Sequence, residues 1–131
     1  MKRLVVLTVL LGLSFGWFAL TDVFAGEAAA APSELPVKGT VTMIDIGARK
    51  CIPCKMMAPI LEELEKEYNG KAAIVFIDVW QNPDESKKYR IRSIPTQIFY
   101  DREGKEVYRH EGFFDKASIV AELEQLGVKK Q

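Results

Sequence analysis

Two apolar strand-like runs joined by one amphipathic helix constrain the fold of this chain more than any other feature of its sequence. The run Val41-Thr42-Met43-Ile44-Asp45-Ile46 is β-branched and apolar, nearly continuous, with a single acid inside it. Between Lys55 and Tyr68 the apolar positions Met57, Ile60, Leu61, Leu64 and Tyr68 recur at helical spacing, and Asn69-Gly70 supplies the stop. Ala72 to Val79 is apolar again. Strand, helix and strand in that order predict a parallel β-α-β unit with a right-handed crossover. Pro59 lies inside the helical run, where it removes one backbone hydrogen bond and predicts a kink.

The rest of the chain adds smaller pieces around that unit. Pro83 to Tyr89 predicts a short helix with proline near its start. Thr96 to Tyr100 and Lys105 to Arg109 flank Asp101-Arg102-Glu103-Gly104, which reads as a hairpin. Asp115 is placed to cap a last helix through Ile119, Val120, Leu123 and Leu126 to Gly127. Trp80, Phe113 and Phe114 are expected in the core, and His110 on the surface. Lys plus Arg and Asp plus Glu each number 18, and the chain carries no basic stripe, so steering toward a nucleic acid is not expected.

Chemistry concentrates where the first strand meets the helix. The only two cysteines, Cys51 and Cys54, bracket Ile52 and Pro53 at that junction. A structural zinc site commonly needs four ligands, and this chain offers only two cysteines and His110, so no metal is expected. A purely structural disulfide is a poorer staple than most, because its stabilisation grows with the length of the closed loop. Thiol–disulfide exchange fits the spacing better: one thiolate attacks a foreign disulfide and the second thiol resolves the mixed disulfide. The helix N-terminus lowers the pKa of the first cysteine, which marks Cys51 as nucleophile and the deeper Cys54 as resolving thiol. Lys50 and Lys55 add positive charge beside the pair. No cofactor is demanded, because the sulfurs carry the electrons.

In this order and at these intervals, the motifs identify the chain as thioredoxin-like over about residues 38 to 127. The run from Cys51 to Leu61, with proline before the second cysteine and again at Pro59, resembles the family's redox motif and its helix. Gln81-Asn82-Pro83 and the segment Tyr89 to Thr96 are similar to the stretch leading into the family's cis-proline. The resemblance implies an α/β thioredoxin-like fold with a central mixed sheet of about four strands flanked by helices, here lacking the full N-terminal strand–helix extension. It also implies a cis Ile94-Pro95 bond facing the cysteines, with the Ile94 backbone pairing with a substrate peptide. Asp45 matches the family's buried acid and becomes the candidate general base for Cys54; an edge-facing, solvated aspartate is the alternative. Three positions depart from the pattern. Lys50 and Gly47 stand where the family usually has tryptophans, and Phe76 where a lysine often lies near the acid.

The N-terminus has the form of an export signal. Lys2 and Arg3 precede an apolar run from Leu4 to Leu20, and Val23-Phe24-Ala25 suits cleavage after Ala25. The expected organisation is a signal peptide over 1–25, a linker over 26–37 and a thioredoxin-like domain over 38–131. An uncleaved inner-membrane anchor is the alternative. Together these features predict a monomeric, periplasmic or otherwise extracytoplasmic bacterial oxidoreductase that reduces disulfide-containing protein substrates. Gly112-Phe113-Phe114-Asp115 looks like the corresponding stretch of periplasmic domains that a membrane electron-transfer protein supplies with reductant. Two other readings stay open: a net oxidant or isomerase, and a non-catalytic binding module that uses the cis-proline surface.

Overall fold

The leader expected over residues 1–25, and the linker as far as residue 33, lie outside the residues that the computed structural model describes, which are 34–130. The elements in chain order are β1 (Val41–Gly47), α1 (Ile52–Glu67), β2 (Ala72–Asp78), α2 (Pro83–Lys88), β3 (Thr96–Tyr100), β4 (Glu106–Glu111) and α3 (Lys116–Gln125). They form a mixed four-stranded sheet in the order β2-β1-β3-β4. β1 and β2 are parallel, while β3 is antiparallel to both β1 and β4.

Alternation along β1 divides the interior into two layers. Val41 and Met43 face α1 and α3, where they pack with Met57, Leu61, Leu64, Phe99, Ile119 and Leu123. Ile44 and Ile46 face the opposite side, with Val79, Tyr89, Ile98 and Tyr100. Leu35, near the end of the expected linker, packs against this second cluster, and the Val37 N–H donates to Thr42 Oγ1 at 3.0 Å. The helix α1 runs through Pro59 and buries Cys54, Met57, Leu61 and Leu64 on one face. Asp115 caps α3 by accepting from the Ser118 N–H at 3.1 Å.

Two aromatic side chains expected in the core lie outside it. Trp80 is 59% exposed and Phe113 41% exposed, whereas Phe114 is buried. Their places in the chain explain the split. Trp80 follows the last residue of β2 into a turn, and Phe113 precedes the residue whose ring fills the space beside Phe99 and Tyr108. His110 lies within β4, half-buried, its ring stacked 4.2 Å from that of Phe114.

At the end of β2, Asp78 ties two loops together. Its carboxylate accepts from the Arg49 N–H at 3.2 Å, the Trp80 N–H at 2.9 Å and the Gln81 N–H at 3.3 Å. Burial works to raise its pKa, but these three donors, together with the charge of Arg49, outweigh it and hold the group below the ordinary aspartate range. One carboxylate thus joins the loop that carries the cysteines to the turn after β2. Asp78→Ala leaves three backbone donors without their partner and is expected to cost about 1–3 kcal/mol, read as a lower urea midpoint; an unchanged midpoint would refute the role.

Candidate active site

The parallel strands β1 and β2 end together, with Gly47 opposite Asp78, and Thr96 opposite Ile46 brings β3 into the sheet at that same end. The helix α1 starts there. In open α/β sheets the carboxyl ends of parallel strands, next to a helix N-terminus, are where ligands are met. Cys51, Cys54, Ile94 and Pro95 all belong to this end of the molecule, and the sheet register puts Asp45 two residues inside it.

Cys51 is the N-cap of α1. Its backbone is extended, its Sγ accepts from the Cys54 N–H at 3.4 Å, and its carbonyl accepts from the Lys55 N–H at 3.0 Å. Pro53 sits in the first turn, where a missing N–H costs nothing. The two sulfurs form a disulfide but are not equivalent. Cys51 is half-exposed and Cys54 is buried, so only the first can meet a large partner. Ile52, between them, is 76% exposed. Arg49, Lys50 and Lys55 are exposed around the pair, the Arg49 guanidinium standing 5.9 Å from the centre of the Phe76 ring. This positive rim and the helix N-terminus both favour a thiolate at Cys51.

Cys54 packs onto the sheet through a glycine. A Cβ at Gly47 would lie 3.0 Å from Cys54 Sγ and 3.2 Å from Phe76, closer than side chains ordinarily pack. Position 47 is therefore more than a rim position that has lost its aromatic ring: its missing side chain is the room that Cys54 and Phe76 occupy. Beside them, Cys54, Arg49, Lys55, Ala58, Ile74 and Phe76 line part of a cavity of about 280 Å³.

Asp45 is fully buried on the same face of β1, which sets aside the solvated alternative. Its Oδ1 accepts from Gln97 Nε2 at 2.7 Å, and its Oδ2 has no partner among the described residues. Burial raises its pKa from an ordinary value of 3.8 to about 6, with the Gln97 hydrogen bond pulling the other way. Phe76 stands opposite Asp45 on β2 and brings no charge to it.

The Ile94-Pro95 peptide is cis. Pro95 is buried, and its carbonyl accepts from the Gly112 N–H at 2.8 Å. Gly112 has φ +98°, a conformation open to glycine and strained for other residues, which lets the chain leave β4 and still reach Pro95. The Ile94 side chain packs on the second core cluster.

Two contributors were missed in the sequence, Gln97 and Asp78. Gln97 interrupts the apolar run of β3, a detectable anomaly, but only the register across β1 shows that it meets Asp45. Asp78 stands at the end of a strand before a turn, a common place for an aspartate that accepts backbone N–H groups.

The thioredoxin family model matches residues 32–125. Thioredoxin of Staphylococcus aureus is 42% identical over 89 residues, covering 68% of this chain and 85% of that protein. The chain belongs to the thioredoxin family. Among solved structures, chloroplastic thioredoxin z is similar with a TM-score of 0.62 and 33% identity, over 68% of this chain and 80% of that one. An exposed lipoprotein thioredoxin of Streptococcus pneumoniae strain TIGR4 shares the fold, with a TM-score of 0.60 and 24% identity, over 67% and 86%. The protein is a thioredoxin-family protein-disulfide oxidoreductase, and thioredoxins act on disulfide-containing proteins.

Because burial lifts the folded pKa of Asp45 above that of an unfolded aspartate, its contribution to stability is greatest below about pH 4 and is lost as pH rises toward 6. The full loss is about 3 kcal/mol for a shift of this size. Urea midpoints of the oxidised protein are expected to reveal this loss between pH 4 and 6 as a gap that opens between the wild type and Asp45→Asn, whose neutral amide does not titrate. A difference between the two proteins that is constant across that range would contradict the assignment.

Proposed function

We propose that the protein works outside the cytoplasm as a reductant of protein disulfides, cycling between the Cys51/Cys54 dithiol and disulfide. The unequal placement of the two sulfurs carries this reading: Cys51 is half-exposed at a helix N-cap, and Cys54 is buried against Gly47, which lies two residues from Asp45 on the same face of β1. The Cys51 thiolate attacks one sulfur of a client disulfide, and the client's other sulfur leaves as a thiolate. Cys54 then gives its proton to Asp45 and attacks Cys51 Sγ, which releases the client's second thiolate. Two electrons have passed to the client, and the protein keeps the internal disulfide.

Ile94 suits client binding, since no described hydrogen bond engages its backbone N–H or carbonyl. An extended segment of the client can pair with it beside Pro95. The exposed Ile52, Met56, Trp80 and Phe113 offer apolar contact near the same end of the sheet.

The basic and apolar leader supports export, with cleavage after Ala25 releasing a monomeric domain and retention leaving it tethered to the membrane. No helix among the described residues is long and apolar enough to cross a membrane. Outside the cytoplasm the dithiol must be restored from elsewhere, and a membrane electron-transfer protein is the proposed source.

Cys54→Ser is expected to accumulate covalent complexes with clients, and Cys51→Ser to form none. Client binding indifferent to both changes would favour a non-catalytic module. The equilibrium potential of the Cys51/Cys54 couple tests direction: a value near −270 mV, about that of thioredoxin, supports a reductant, and one near −120 mV, about that of a strong oxidant, reverses the net flow.

A further inference from the structure

The carboxyl of Asp45 lies in a row that crosses the whole sheet. Phe76 of β2 is opposite Asp45, Asp45 is opposite Gln97 of β3, and Gln97 is opposite His110 of β4. The neighbouring row on this face, Ile74, Met43, Phe99 and Tyr108, is apolar apart from its terminal hydroxyl. Packing alone would accept an apolar residue at 97. Gln97 is fully buried, and the only hydrogen bond of its side chain among the described residues runs from Nε2 to Asp45 Oδ1; its Oε1 has no partner. Burying such an amide for a single bond is costly, which asks for a role beyond filling space.

We propose that Gln97 is a positioning residue for proton exchange at Cys54: it ties down Asp45 through Oδ1 and leaves Oδ2 as the oxygen that takes the Cys54 proton. This rests on the reading of Cys54 as the resolving thiol. Asp45 and Gly47 share a face of β1 and are roughly 7 Å apart along the strand, and Cys54 Sγ fills the space that a Gly47 side chain would enter. The unpartnered oxygen and the resolving sulfur therefore belong to the same buried region. The transfer breaks the Cys54 S–H bond and forms an O–H bond at Oδ2. The resulting thiolate closes the Cys51–Cys54 bond, and the departing client sulfur carries the negative charge away.

Gln97 also sets when Asp45 can act. A hydrogen bond donated to the ionised carboxylate favours that form, against the burial that disfavours it. The other elements packed around this region bring little to replace it. The helix α1 supplies the thiol of Cys54, and β2 supplies the uncharged ring of Phe76. His110 on β4 lies beyond Gln97, where its Nε2 is 3.1 Å from the Phe113 carbonyl oxygen. The helix α3 presents Ile119 and Leu123 to this layer. Without the amide, Asp45 holds its proton to higher pH and is a scarcer base near neutrality.

The test follows reduction of insulin disulfides by the pre-reduced full chain from pH 5 to 9, in wild type, Gln97→Leu, Asp45→Asn and the double variant. Gln97→Leu is expected to move the acid-side inflection of the rate upward by about one pH unit, a tenfold change in proton affinity. Asp45→Asn should abolish that inflection, and Gln97→Leu should then leave the profile unchanged. An inflection that stays in place in Gln97→Leu, or the same loss of rate at every pH in both backgrounds, would overturn the proposal. Infrared titration of the Asp45 carboxyl gives a readout that needs no turnover. Its midpoint should rise in Gln97→Leu, and an unmoved midpoint counts against the pair. If no variant reduces insulin, the reductant reading fails and the infrared titration still decides the role of Gln97. If Gln97→Leu does not fold, Gln97→Glu replaces it: two facing carboxyls should titrate in two separated steps, and a single unshifted step overturns the proposal.

Discussion

The close approach of Cys54 to Gly47 fixes how the first turn of α1 sits on the sheet, and the rest of the site follows from it. With no side chain at 47, the buried sulfur lies directly on β1, and Phe76 from the neighbouring strand closes the space beside it. That contact seats the start of the helix at the end of the parallel pair. Cys51 then falls at the N-cap, where helix amides and the surrounding basic residues favour its thiolate. One cysteine is thereby turned toward partners and the other toward the interior, using a single packing contact and a single cap.

Position 76 shows how a change at one residue shifts work onto others. Where the family often carries a lysine near the buried acid, this chain has a phenylalanine, so no cation from β2 opposes the burial of Asp45. The aromatic ring instead packs against the site, with Arg49 over its face. Arg49 is held in turn through its backbone by Asp78. Positive charge thus lies at the rim, and the interior acid is tuned by a neutral amide. A neutral donor lowers a carboxylate pKa less than a nearby cation does, so the pKa of Asp45 stays raised to about 6, which suits the proton exchange proposed for it.

Most of the fold was legible because each element carried its own local signal. The helix α1 announced itself through Met57, Leu61 and Leu64 on one stripe, β1 through an apolar run interrupted by a single acid, and α3 through Asp115 at its cap. The cysteine pair was equally plain, since spacing alone puts both thiols in one turn. What stayed hidden depended on partners distant in sequence. Gln97 meets Asp45 across 52 residues, and Asp78 reaches Arg49 across 29. Composition misplaced Trp80 and Phe113, because a large aromatic ring is core by tendency yet is exposed when its backbone lies in a turn or connecting segment. Gly47 looked like a lost ring at the rim until its neighbours in space gave it the opposite meaning.

Asp45 and Asp78 are the same residue type on adjacent parallel strands, both buried, and their environments drive them apart. Asp78 collects three backbone N–H donors and remains ionised, so it acts as a fixed anchor for the loops. Asp45 has one amide and one unpartnered oxygen, so its proton affinity stays high and its charge is conditional. Stability alone would favour giving Asp45 a second donor or replacing it with an apolar residue. One of its oxygens is left open on the face of β1 against which Cys54 packs, and a buried thiol has no bulk water to take its proton. A carboxyl that is costly to ionise is a weak structural element but a suitable proton acceptor in that position. In the proposed mechanism, the local stability given up at Asp45 is the condition for releasing a client from the mixed disulfide.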